Sequence, residues 1–548
     1  MSGLPYDPYA DARKAASLLL FRDGEQGLEV LMMRRGERNG DPRSGAAVFP
    51  GGVLDARDHE SHPHCIGLTD AAASAQLGLA SGGLDYFVAA LRETFEEVGL
   101  LLADRAFDAA ALHPWRERMQ SGQATLDEMC QATGLRMDLR GLVYFAHWLT
   151  PPGHPKRFDT RFFAALAPPG QQAQADLGEA AELMWITPRA ALAPETALKL
   201  LTVTQTTLQE LTQFSSAAAV MQALRARSEV PLTMPRRAMS ASGPQVLLPG
   251  ARPYAEVGRL DPAGRGDVSC EIVAGRAVRL SPRVIRVTAP NPGAMTGPGT
   301  NTYLVSDGSD GAGWTVIDPG PVSEPHLRAV LAAAPGRIDC ILVTHTHKDH
   351  SPGAAALAQA TGAPVFGRVA LHAEWQDTNF APQRELQHGE RLALGTATAL
   401  RVIHTPGHAS NHLCFLLEEE KLLFTGDHVM QGSTVVINPP DGDMAVYLAS
   451  LRALLDEDLK WLAPGHGFLV DDPQAVLRGL IAHRLKREAK VLAAVRAVMG
   501  TVEALLPQVY DDVPPAMHAV AQRSLRAHLL KLQAEGVVRV AAEVWSAC

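Results

Sequence analysis

Short apolar runs recur along the chain, and most of them end abruptly at Gly, Pro, His or a charged residue. This pattern predicts buried strands that deliver polar side chains to the loops at their ends. In the second half of the chain the runs are Ile338–Val343, Leu400–Ile403, Lys421–Phe424 and Leu459–Leu462. The stretch Ala191–Arg227 has a helical pattern instead. No run approaches the roughly 20 apolar residues that span a bilayer, so we expect no membrane segment.

Potential metal ligands stand at the ends of these predicted strands. Directly after Val343 the sequence Thr-His-Thr-His-Lys-Asp-His supplies three imidazoles and one carboxylate. Three further candidates, each preceded by glycine, follow the later strands: His408, Asp427 and His466. Imidazole and carboxylate are good ligands for Zn²⁺, and loops on a rigid scaffold can bring such groups together. The spacing therefore predicts a metal-dependent hydrolase.

These residues resemble the metal-binding motifs of the metallo-β-lactamase superfamily. The resemblance implies a four-layer αββα sandwich with two metal ions at the edge of its paired sheets. It assigns to one metal ion the residues His345, His347 and His408. It assigns to the other Asp349, His350 and His466, with Asp427 bridging and Asp349 also catalytic. Two ions about 4 Å apart can share a hydroxide of lowered pKa, and the expected metal is zinc, with iron or manganese as alternatives. Two neighbouring histidines, His404 and His428, are interpreted as supporting residues.

Three further motifs carry a narrower resemblance inside that superfamily. They are Asn291-Pro292-Gly293, Gly299–Val305 and Pro439–Met444. They are similar to a subgroup that carries a C-terminal winged helix, and some of its members cleave single-stranded RNA. We therefore expect a winged helix at the end of this chain.

The C-terminal pattern agrees with such a module. Helices are predicted over Ala482–Met499, Thr501–Val509 and Ala516–Ala534, and wing strands over Val537–Val540 and Ala542–Trp545. On the third helix one face carries Ser524, His528 and Lys531, and another carries Leu525, Leu529 and Leu532. Two roles are open for this module: nucleic-acid binding, or a structural role in which it covers the active site or a homodimer contact.

Three glutamates on one predicted helix form a second candidate metal site in the first half. A glycine pair lies in Val48–Val53, and after a gap Arg92–Leu100 places Glu93, Glu96 and Glu97 at i, i+3 and i+4. Like charges at that spacing destabilise a bare helix. Bound Mg²⁺ or Mn²⁺, which prefer oxygen ligands, would stabilise it. The alternative is a solvated acidic helix face.

This pattern resembles the Nudix family, an α/β/α sandwich that hydrolyses nucleoside diphosphates linked to another group. The resemblance implies that Glu96 and Glu97 are metal ligands, that Glu93 is a ligand or general base, and that Arg92 orients them. Thr94 departs from the family pattern, where an aliphatic residue is usual. An insertion also separates Gly52 from Arg92, which leaves open whether Asp58 is the usual acid.

The interrupted motif is similar to a Nudix subgroup that includes coenzyme A diphosphatases. Gly45, which precedes Phe49-Pro50-Gly51-Gly52, agrees with the coenzyme A pattern. Asp41 does not agree, because it stands where that pattern has arginine. The expected substrate is therefore either coenzyme A-like or another molecule linked to a nucleoside diphosphate.

Other acids and histidines near this motif are weaker candidates. The insertion holds four potential ligands, His59, His62, His64 and Cys65. No partner pair follows them at finger-like spacing, so a polar loop is favoured over a metal site. Glu179 or Glu182 is a candidate for an additional metal carboxylate, with a surface acid as the alternative.

Composition limits these interpretations. A chain of 548 residues suits three or four domains, and its net charge of −9 argues against a protein that coats nucleic acid. A local basic groove stays compatible with that charge, and one candidate patch contains Arg484, Lys486, Arg487 and Lys490. The 6 cysteines are scattered without paired spacing, which indicates reduced thiols and a cytoplasmic location.

The sequence thus predicts a multidomain α/β metallohydrolase. The predicted parts are a Nudix-like domain (1–239), a linker (240–274), a metallo-β-lactamase domain (275–481) and a winged helix (482–548). The favoured function is hydrolysis of an ester or thioester at the histidine site, with pyrophosphate hydrolysis at the Nudix-like site. The first alternative is cleavage or end-processing of single-stranded RNA, which requires a positive strip joining Arg484, Lys490 and Lys531 to the metal cleft. In the second, the Nudix half is a non-catalytic ligand sensor.

Overall fold

The computed structural model describes residues 7–36, 44–175, 180–309, 311–395 and 398–548. The chain divides near residue 236 into two compact units, and residues 263–265 return to the first. Each unit has its own sheets and cores. None of the helices in the described ranges is both long enough and apolar enough to cross a membrane.

The first unit is built on a mixed nine-stranded sheet. Its strands are β1 (Ala12–Gly24), β2 (Gly27–Arg35), β3 (Ala46–Val48), β4 (Gly51–Val53), β5 (Cys65–Ile66), β6 (Met137–Asp138), β7 (Val143–Leu149), β8 (Arg157–Leu166), β9 (Ala180–Ile186), β10 (Lys199–Leu200) and β11 (Leu232–Thr233). Its helices are α1 (Asp70–Leu77), α2 (Gly83–Val98), α3 (Ala109–Gln120), α4 (Leu126–Thr133), α5 (Pro188–Leu192), α6 (Thr202–Leu211) and α7 (Ala217–Arg225). The sheet order is β10-β3-β2-β1-β8-β7-β11, with β4 beside β1, β9 beside β2, and β5 and β6 paired separately.

Strand β1 is buried on both faces of this sheet. Leu18 and Leu20 pack in the core under α2, whereas Leu19 and Phe21 are buried on the opposite face. Successive side chains of a strand point to opposite faces, so a strand covered on both sides is apolar throughout. Helix α2, which carries the three glutamates, ends at Gly99 in the left-handed conformation (φ 72°). Strand β4, which carries the glycine pair, therefore lies against helix α2, which carries the three glutamates.

The second unit contains two larger sheets. Its strands are β12 (Arg236–Ser240), β13 (Gly243–Leu247), β14 (Ala277–Arg279), β15 (Val284–Thr288), β16 (Asn301–Val305), β17 (Trp314–Ile317), β18 (Ile338–Leu342), β19 (Val365–Gly367), β20 (Arg384–Glu385), β21 (Arg391–Ala393), β22 (Ala399–His404), β23 (Leu413–Leu417), β24 (Leu422–Gly426), β25 (Trp461–Pro464), β26 (Val470–Asp471), β27 (Val538–Ala541) and β28 (Val544–Ala547). Its helices are α8 (Tyr254–Leu260), α9 (Glu324–Ala333), α10 (Gly353–Thr361), α11 (Met444–Leu454), α12 (Pro473–Ala497), α13 (Val502–Val509) and α14 (His518–Ala534). Strands β14 to β20 form a seven-stranded sheet in chain order, and β21 to β26 form a six-stranded one.

The two sheets face each other across a shared apolar core. Tyr303 and Leu342 of one sheet and Phe415 and Phe424 of the other belong to that core. A second core covers the outer face of the seven-stranded sheet with α9 and α10, and a third covers the six-stranded sheet with α11 and α12. This arrangement is the predicted four-layer αββα sandwich.

The C-terminal module is the predicted winged helix, with one difference at its start. Helix α12 begins at Pro473, before the predicted boundary at 482, and is continuous. Its Leu477 lies in the sandwich core, whereas its Val491 lies in the core of the C-terminal module with Leu525 and Trp545. One helix therefore belongs to two cores, which explains why the apolar pattern shows no break there.

The segment predicted as a linker, 240–274, also contains regular structure. Strands β12 and β13 form a hairpin, and α8 follows. Glu256 of α8 is buried beside Arg286 of β15. The sequence did not indicate this helix, because the segment is rich in Pro and Gly and the residue that anchors the helix is charged. The domain boundaries stay a prediction.

Candidate metal centre

The structure brings all seven predicted histidine-site residues to one edge of the sandwich. They follow the ends of β18, β22, β24 and β25. Their potential ligand atoms form two groups, each within 4.8 Å: His345, His347 and His408, and then Asp349, His350, Asp427 and His466. Each residue stands just beyond a buried strand, so the sheets fix the positions of the loops that carry them.

In the first group the imidazole nitrogens converge on one point. His347 Nδ1 lies 3.0 Å from His345 Nε2 and 3.0 Å from His408 Nε2. Burial and, to a smaller extent, the nearby His408 lower the pKa of His347 to about 3. Burial likewise lowers the pKa of His345 and of His408. The three rings are therefore neutral at neutral pH, which is the form that binds a metal ion.

In the second group the carboxylates require a positive charge. Asp427 Oδ1 lies 3.2 Å from His466 Nε2 and 3.4 Å from His350 Nε2, and none of these three buried atoms makes a hydrogen bond. Although burial lowers the pKa of His466, the carboxylates of Asp427 and Asp349 raise it overall to about 9. Buried polar atoms without partners are rare in proteins. A bound cation would satisfy all three atoms at once.

Asp427 lies between the two groups. Its Oδ1 faces the second group, and its Oδ2 lies 3.9 Å from His408 Nε2 of the first. Three imidazoles on one side, and two imidazoles with Asp349 on the other, are a donor set suited to divalent metal ions such as zinc. The residues present therefore fit a pair of metal ions that shares Asp427.

The outward nitrogens of four histidines are fixed by hydrogen bonds. Their partners are Thr344 Oγ1 for His345 (3.0 Å), Asp318 Oδ2 for His350 (2.9 Å), the Val436 carbonyl for His408 (2.8 Å) and the Gly299 carbonyl for His466 (3.2 Å). Such partners set the ring orientation and the tautomer of a ligand histidine. The inner nitrogens of these four rings are thus directed towards the centre.

Sequence reasoning missed three residues that support the centre. Asp318 lies at the end of β17 and also accepts hydrogen bonds from the backbone and hydroxyl of Thr344. His412 is fully buried and accepts a hydrogen bond from the Asp427 backbone (3.2 Å). Thr300 donates to Asp349 (3.3 Å). None of them belongs to a His-rich motif, although Thr300 lies within the Gly299–Val305 motif.

The two histidines interpreted as supporting residues do not contact a ligand by hydrogen bonds. His404 Nε2 bonds to the Ser410 carbonyl (3.2 Å). His428 is fully buried, with its ring 5.7 Å from that of His412 and 5.0 Å from that of Tyr447. His428 therefore lies behind His412, which occupies the supporting position itself.

In the first unit, the glutamates of α2 face the glycine pair of β4. Glu97 accepts a hydrogen bond from the Gly51 backbone (2.8 Å), and a Cβ at position 52 would lie 2.3 Å from a Glu93 oxygen. Burial raises the pKa of Glu96 to about 7, although Arg92 lowers it. In the described ranges these carboxylates do not meet within 4.8 Å as the histidine-site groups do. They line a buried acidic surface whose charge suits a divalent cation.

The structure places the uncertain residues of the interrupted motif. Asp58 is buried and accepts a hydrogen bond from Arg92 (2.7 Å), and Arg92 also donates to Glu93 (2.9 Å). The insertion therefore places an acid beside this arginine. The buried hydroxyl of Thr94 donates to the Ala90 carbonyl (2.7 Å). The departure at Thr94 is thus accommodated, because its hydroxyl is satisfied within its own helix.

The weaker candidates do not assemble into a metal site among the described residues. The insertion forms a 3-10 helix, Asp58–His64, in which His62 pairs with Asp85 (2.8 Å) and His64 with Asp127 (3.0 Å). The polar loop is therefore the better interpretation of that cluster. Glu182 is exposed on β9. Glu179 and Asp41 lie outside the described residues.

The positive strip that RNA cleavage requires is not formed. Arg484 and Arg487 are only 2% and 7% exposed. Arg487 and Lys490 pair with Asp512 (2.7 Å) and Asp511 (2.5 Å), and Lys531 pairs with Glu488 (2.7 Å). The RNA-cleavage alternative therefore lacks the strip that it requires, because helix periodicity does not show which face of α12 is buried.

The polar face of α14 is also buried. Ser524 is 6% exposed and His528 is fully buried, with His528 Nδ1 3.2 Å from Glu488. In this face His528 packs against α12 and Ser524 against the backbone of Ile437, while the leucine face forms the core of the module. It is therefore not available to nucleic acid.

Three family models match the chain in the predicted order. A NUDT19 Nudix domain matches residues 71–200, the metallo-beta-lactamase superfamily matches 295–466, and a beta-lactamase associated winged helix domain matches 501–545. Together they account for both candidate sites and for the C-terminal module.

The chain is also similar to individual proteins and to a solved structure. Over 248 residues the chain is 36% identical to a protein of Aspergillus chevalieri named atrochrysone carboxyl ACP thioesterase, covering 43% of this chain and 76% of that protein. It is 32% identical to the beta-lactamase-like protein 2 homolog of Drosophila melanogaster, covering 48% of this chain and 91% of that one. A solved beta-lactamase domain protein of Burkholderia ambifaria is 21% identical with a TM-score of 0.45, covering 51% of this chain and 95% of that one.

Proposed function

Because the chain belongs to the metallo-β-lactamase superfamily, we propose that its histidine-site centre hydrolyses a thioester or ester, with thioesters favoured. The observation that carries the proposal is the convergence of unpartnered buried atoms of His350, His466 and Asp427 on one point, which suits a pair of divalent metal ions. The names of relatives such as the Aspergillus chevalieri thioesterase support the choice of substrate bond. Zinc is the expected metal, with iron or manganese as alternatives.

The proposed ligands keep the assignment made from the sequence: His345, His347 and His408 for one ion, Asp349, His350 and His466 for the other, and Asp427 for both. When bound, such a pair supplies Lewis acidity and water of lowered pKa. No serine or cysteine nucleophile is then required.

Asp349 has the role closest to the reaction. Its side chain is 28% exposed, compared with 12% for Asp427 and 4% for His466, so it faces the open side of the centre. Although burial opposes ionisation, the adjacent His350 holds the pKa of Asp349 well below its usual range. Asp349 is therefore ionised, and Thr300 orients one of its oxygens. We assign to Asp349 the binding and positioning of the attacking water.

The test is release of free thiol from short-chain acyl thioesters by the full chain, reconstituted with zinc, iron or manganese in turn. Asp427→Ala should abolish turnover. Asp458→Ala is the matched control, because Asp458 is an exposed acid of the same unit. Full activity of Asp427→Ala, or no thiol release by metal-loaded native protein, would overturn the proposal.

For the first unit we propose metal-dependent hydrolysis of a pyrophosphate bond, in coenzyme A or another nucleoside diphosphate-linked molecule. Glu96 and Glu97 would hold Mg²⁺ or Mn²⁺, and Glu93 would act as ligand or general base. The match to a NUDT19 Nudix domain and the placement of Gly51, Gly52 and Arg92 against these acids support the proposal. The buried pair of Arg92 with Asp58 keeps the guanidinium beside Glu93.

Cleavage of coenzyme A with Mg²⁺, followed by separation of the nucleotide product, tests this second activity. Glu97→Gln should abolish cleavage, and Glu117→Gln, an exposed acid on α3, should not change it. Unchanged cleavage in Glu97→Gln would contradict the assigned role. If native protein cleaves neither coenzyme A nor nucleoside diphosphate-linked substrates but binds one of them, the ligand-sensor alternative replaces the proposal.

A further inference from the structure

Helix α14 of the C-terminal module lies beside the loop that follows β19, near the first histidine group. The guanidinium of Arg523 stands 4.7 Å above the ring of Trp375. The next residue in the loop, Gln376, pairs its backbone with that of His347. The stacking of Arg523 on Trp375 therefore connects α14 to the loop whose backbone pairs with that of His347, a proposed metal ligand.

The adjacent residue of α14 contacts a different loop of the same site. The backbone N–H of Ile437 donates to Ser524 Oγ (3.4 Å). The carbonyl of Val436, one residue earlier, accepts the hydrogen bond of His408 Nδ1 (2.8 Å). Because Arg523 and Ser524 are neighbours, the two contacts place this turn of α14 along one side of the His345, His347 and His408 group.

Trp375 is held in an unusual conformation on a well-anchored loop. Its φ is 69°, in the left-handed region that bulky residues rarely adopt, and it is 51% exposed. Gln376 fixes the loop by donating to Asp441 (3.0 Å) and by accepting from Thr346 (2.6 Å). Leu371, 82% exposed, is anchored through its backbone to Ser410 (2.9 Å). Strained residues on over-determined loops cluster at ligand-binding sites.

Arg523 differs from the basic residues deeper in this module. Arg487, Lys490 and Lys531 each pair with a carboxylate, but within the described ranges no carboxylate forms an ion pair with Arg523. It is partly buried against the indole. A guanidinium stacked on an aromatic ring keeps its N–H donors for an anionic group, which it can hold in bidentate fashion.

We propose that Trp375 and Arg523 form a substrate-binding wall of the metal centre, which selects thioesters that carry an anionic group. Trp375 and Leu371 contact the apolar part of the substrate, and Arg523 pairs with its phosphate or carboxylate. The C-terminal module thus contributes to substrate recognition at the hydrolytic site. This inference rests on the proposed thioester hydrolysis for the identity of the ligand.

Binding of thioether analogues, which cannot be hydrolysed, tests the wall separately from turnover. Calorimetry on the metal-loaded full chain would compare S-hexyl pantetheine, S-hexyl phosphopantetheine and S-carboxypentyl pantetheine. We expect Arg523→Gln to weaken binding of one charged analogue about tenfold, because a charge-assisted hydrogen bond is lost. Binding of the neutral analogue should be unchanged. The charged analogue that responds shows whether the anion lies on the thiol or on the acyl side.

Three controls keep the result interpretable. Arg526→Gln changes an exposed arginine of the same helix and should have no effect. Trp375→Phe should retain binding of all three analogues, whereas Trp375→Ala should weaken all of them. Metal content, measured by mass spectrometry, should be unchanged in every variant. If Arg523→Gln does not fold, Arg523→Met, which also removes the charge and keeps a long side chain, provides the same comparison.

Equal weakening of all analogues by Arg523→Gln, or no weakening of either charged one, would overturn the inference. Charge-dependent binding without any thiol release from the corresponding thioesters would overturn the proposed hydrolysis and leave the wall intact. The two proposals therefore fail in distinguishable ways.

Discussion

Glu256 and Arg286 form a two-contact ion pair that is almost fully buried in the second unit. The nitrogen–oxygen distances are 2.6 and 2.9 Å, and the Leu469 backbone also donates to Glu256 (2.8 Å). Arg286 reaches the carbonyl of Gly467, the residue after His466 (3.4 Å). The pair therefore joins α8 to the strand and loop that support the second metal group.

Removing the charge of Glu256 should destabilise this unit strongly. Glu256→Gln leaves Arg286 buried without its counter-ion, which typically costs about 3–5 kcal/mol. Glu324→Gln breaks an exposed pair with Arg328 and should cost about 1 kcal/mol or less. Denaturant unfolding of the full chain would measure both, and equal midpoints for the two variants would show that the buried pair has no such role.

The carboxylate of Asp318 should control metal affinity without binding metal. It accepts a hydrogen bond from His350 Nδ1 and two from Thr344, so it fixes the ring that faces the second group. Asp318→Asn should lower metal affinity roughly 10- to 100-fold. Competition with a chromogenic chelator would measure the change. Asp339→Asn, at an exposed acid on β18, is the control, and matching affinities in the two variants would contradict the prediction.

Gly52 should be required at the Nudix-type site because of its closeness to Glu93. A methyl group at position 52 would displace that carboxylate, since its Cβ would lie 2.3 Å from the Glu93 oxygen. A displacement of about 1 Å in a catalytic group can cost about 100-fold in rate. Gly52→Ala should therefore lose coenzyme A cleavage while keeping thioester hydrolysis. Gly141→Ala adds its methyl group to open space and serves as control; retained cleavage in Gly52→Ala would refute the argument.

Asp159 should make the stability of the first unit depend on pH. Burial alone would raise the pKa of Asp159, but the hydrogen bond with His147 (2.5 Å) and the charge of Arg161 outweigh burial and lower it. A lowered folded-state pKa means that the ionised form stabilises the fold above the unfolded value of about 4. This contribution is lost as the pH falls from about 4 through the folded-state pKa.

The corresponding measurement is the free energy of unfolding of native protein and Asp159→Asn between neutral and acidic pH. The variant should be less stable at pH about 7, and the difference should shrink as the pH falls below about 4. Asp127→Asn, which alters a different histidine–carboxylate pair, is the control. A stability difference that does not change with pH would assign the effect to packing instead of charge.

Much of the centre could be predicted because its signals are local in the chain. His345, His347, Asp349 and His350 lie within six consecutive positions after a strand, and the glutamates of α2 share one helical face. Periods of two and 3.6 residues determine which neighbours in sequence lie together, so the sequence by itself defined the ligand-bearing loops, the strands before them and the acidic helix.

The tertiary structure decided what depends on contacts between distant segments. Asp318 lies 32 residues from the histidine that it holds, and Asp58 lies 34 residues before the arginine, Arg92, that it contacts. The period of a helix shows that Arg484 and Arg487 lie near one another, but only the packing of α12 shows that they are buried. Likewise, only the packing of α14 shows that Arg523 lies over Trp375. The physical reason is that burial and charge pairing are properties of surfaces that meet only when the chain has folded.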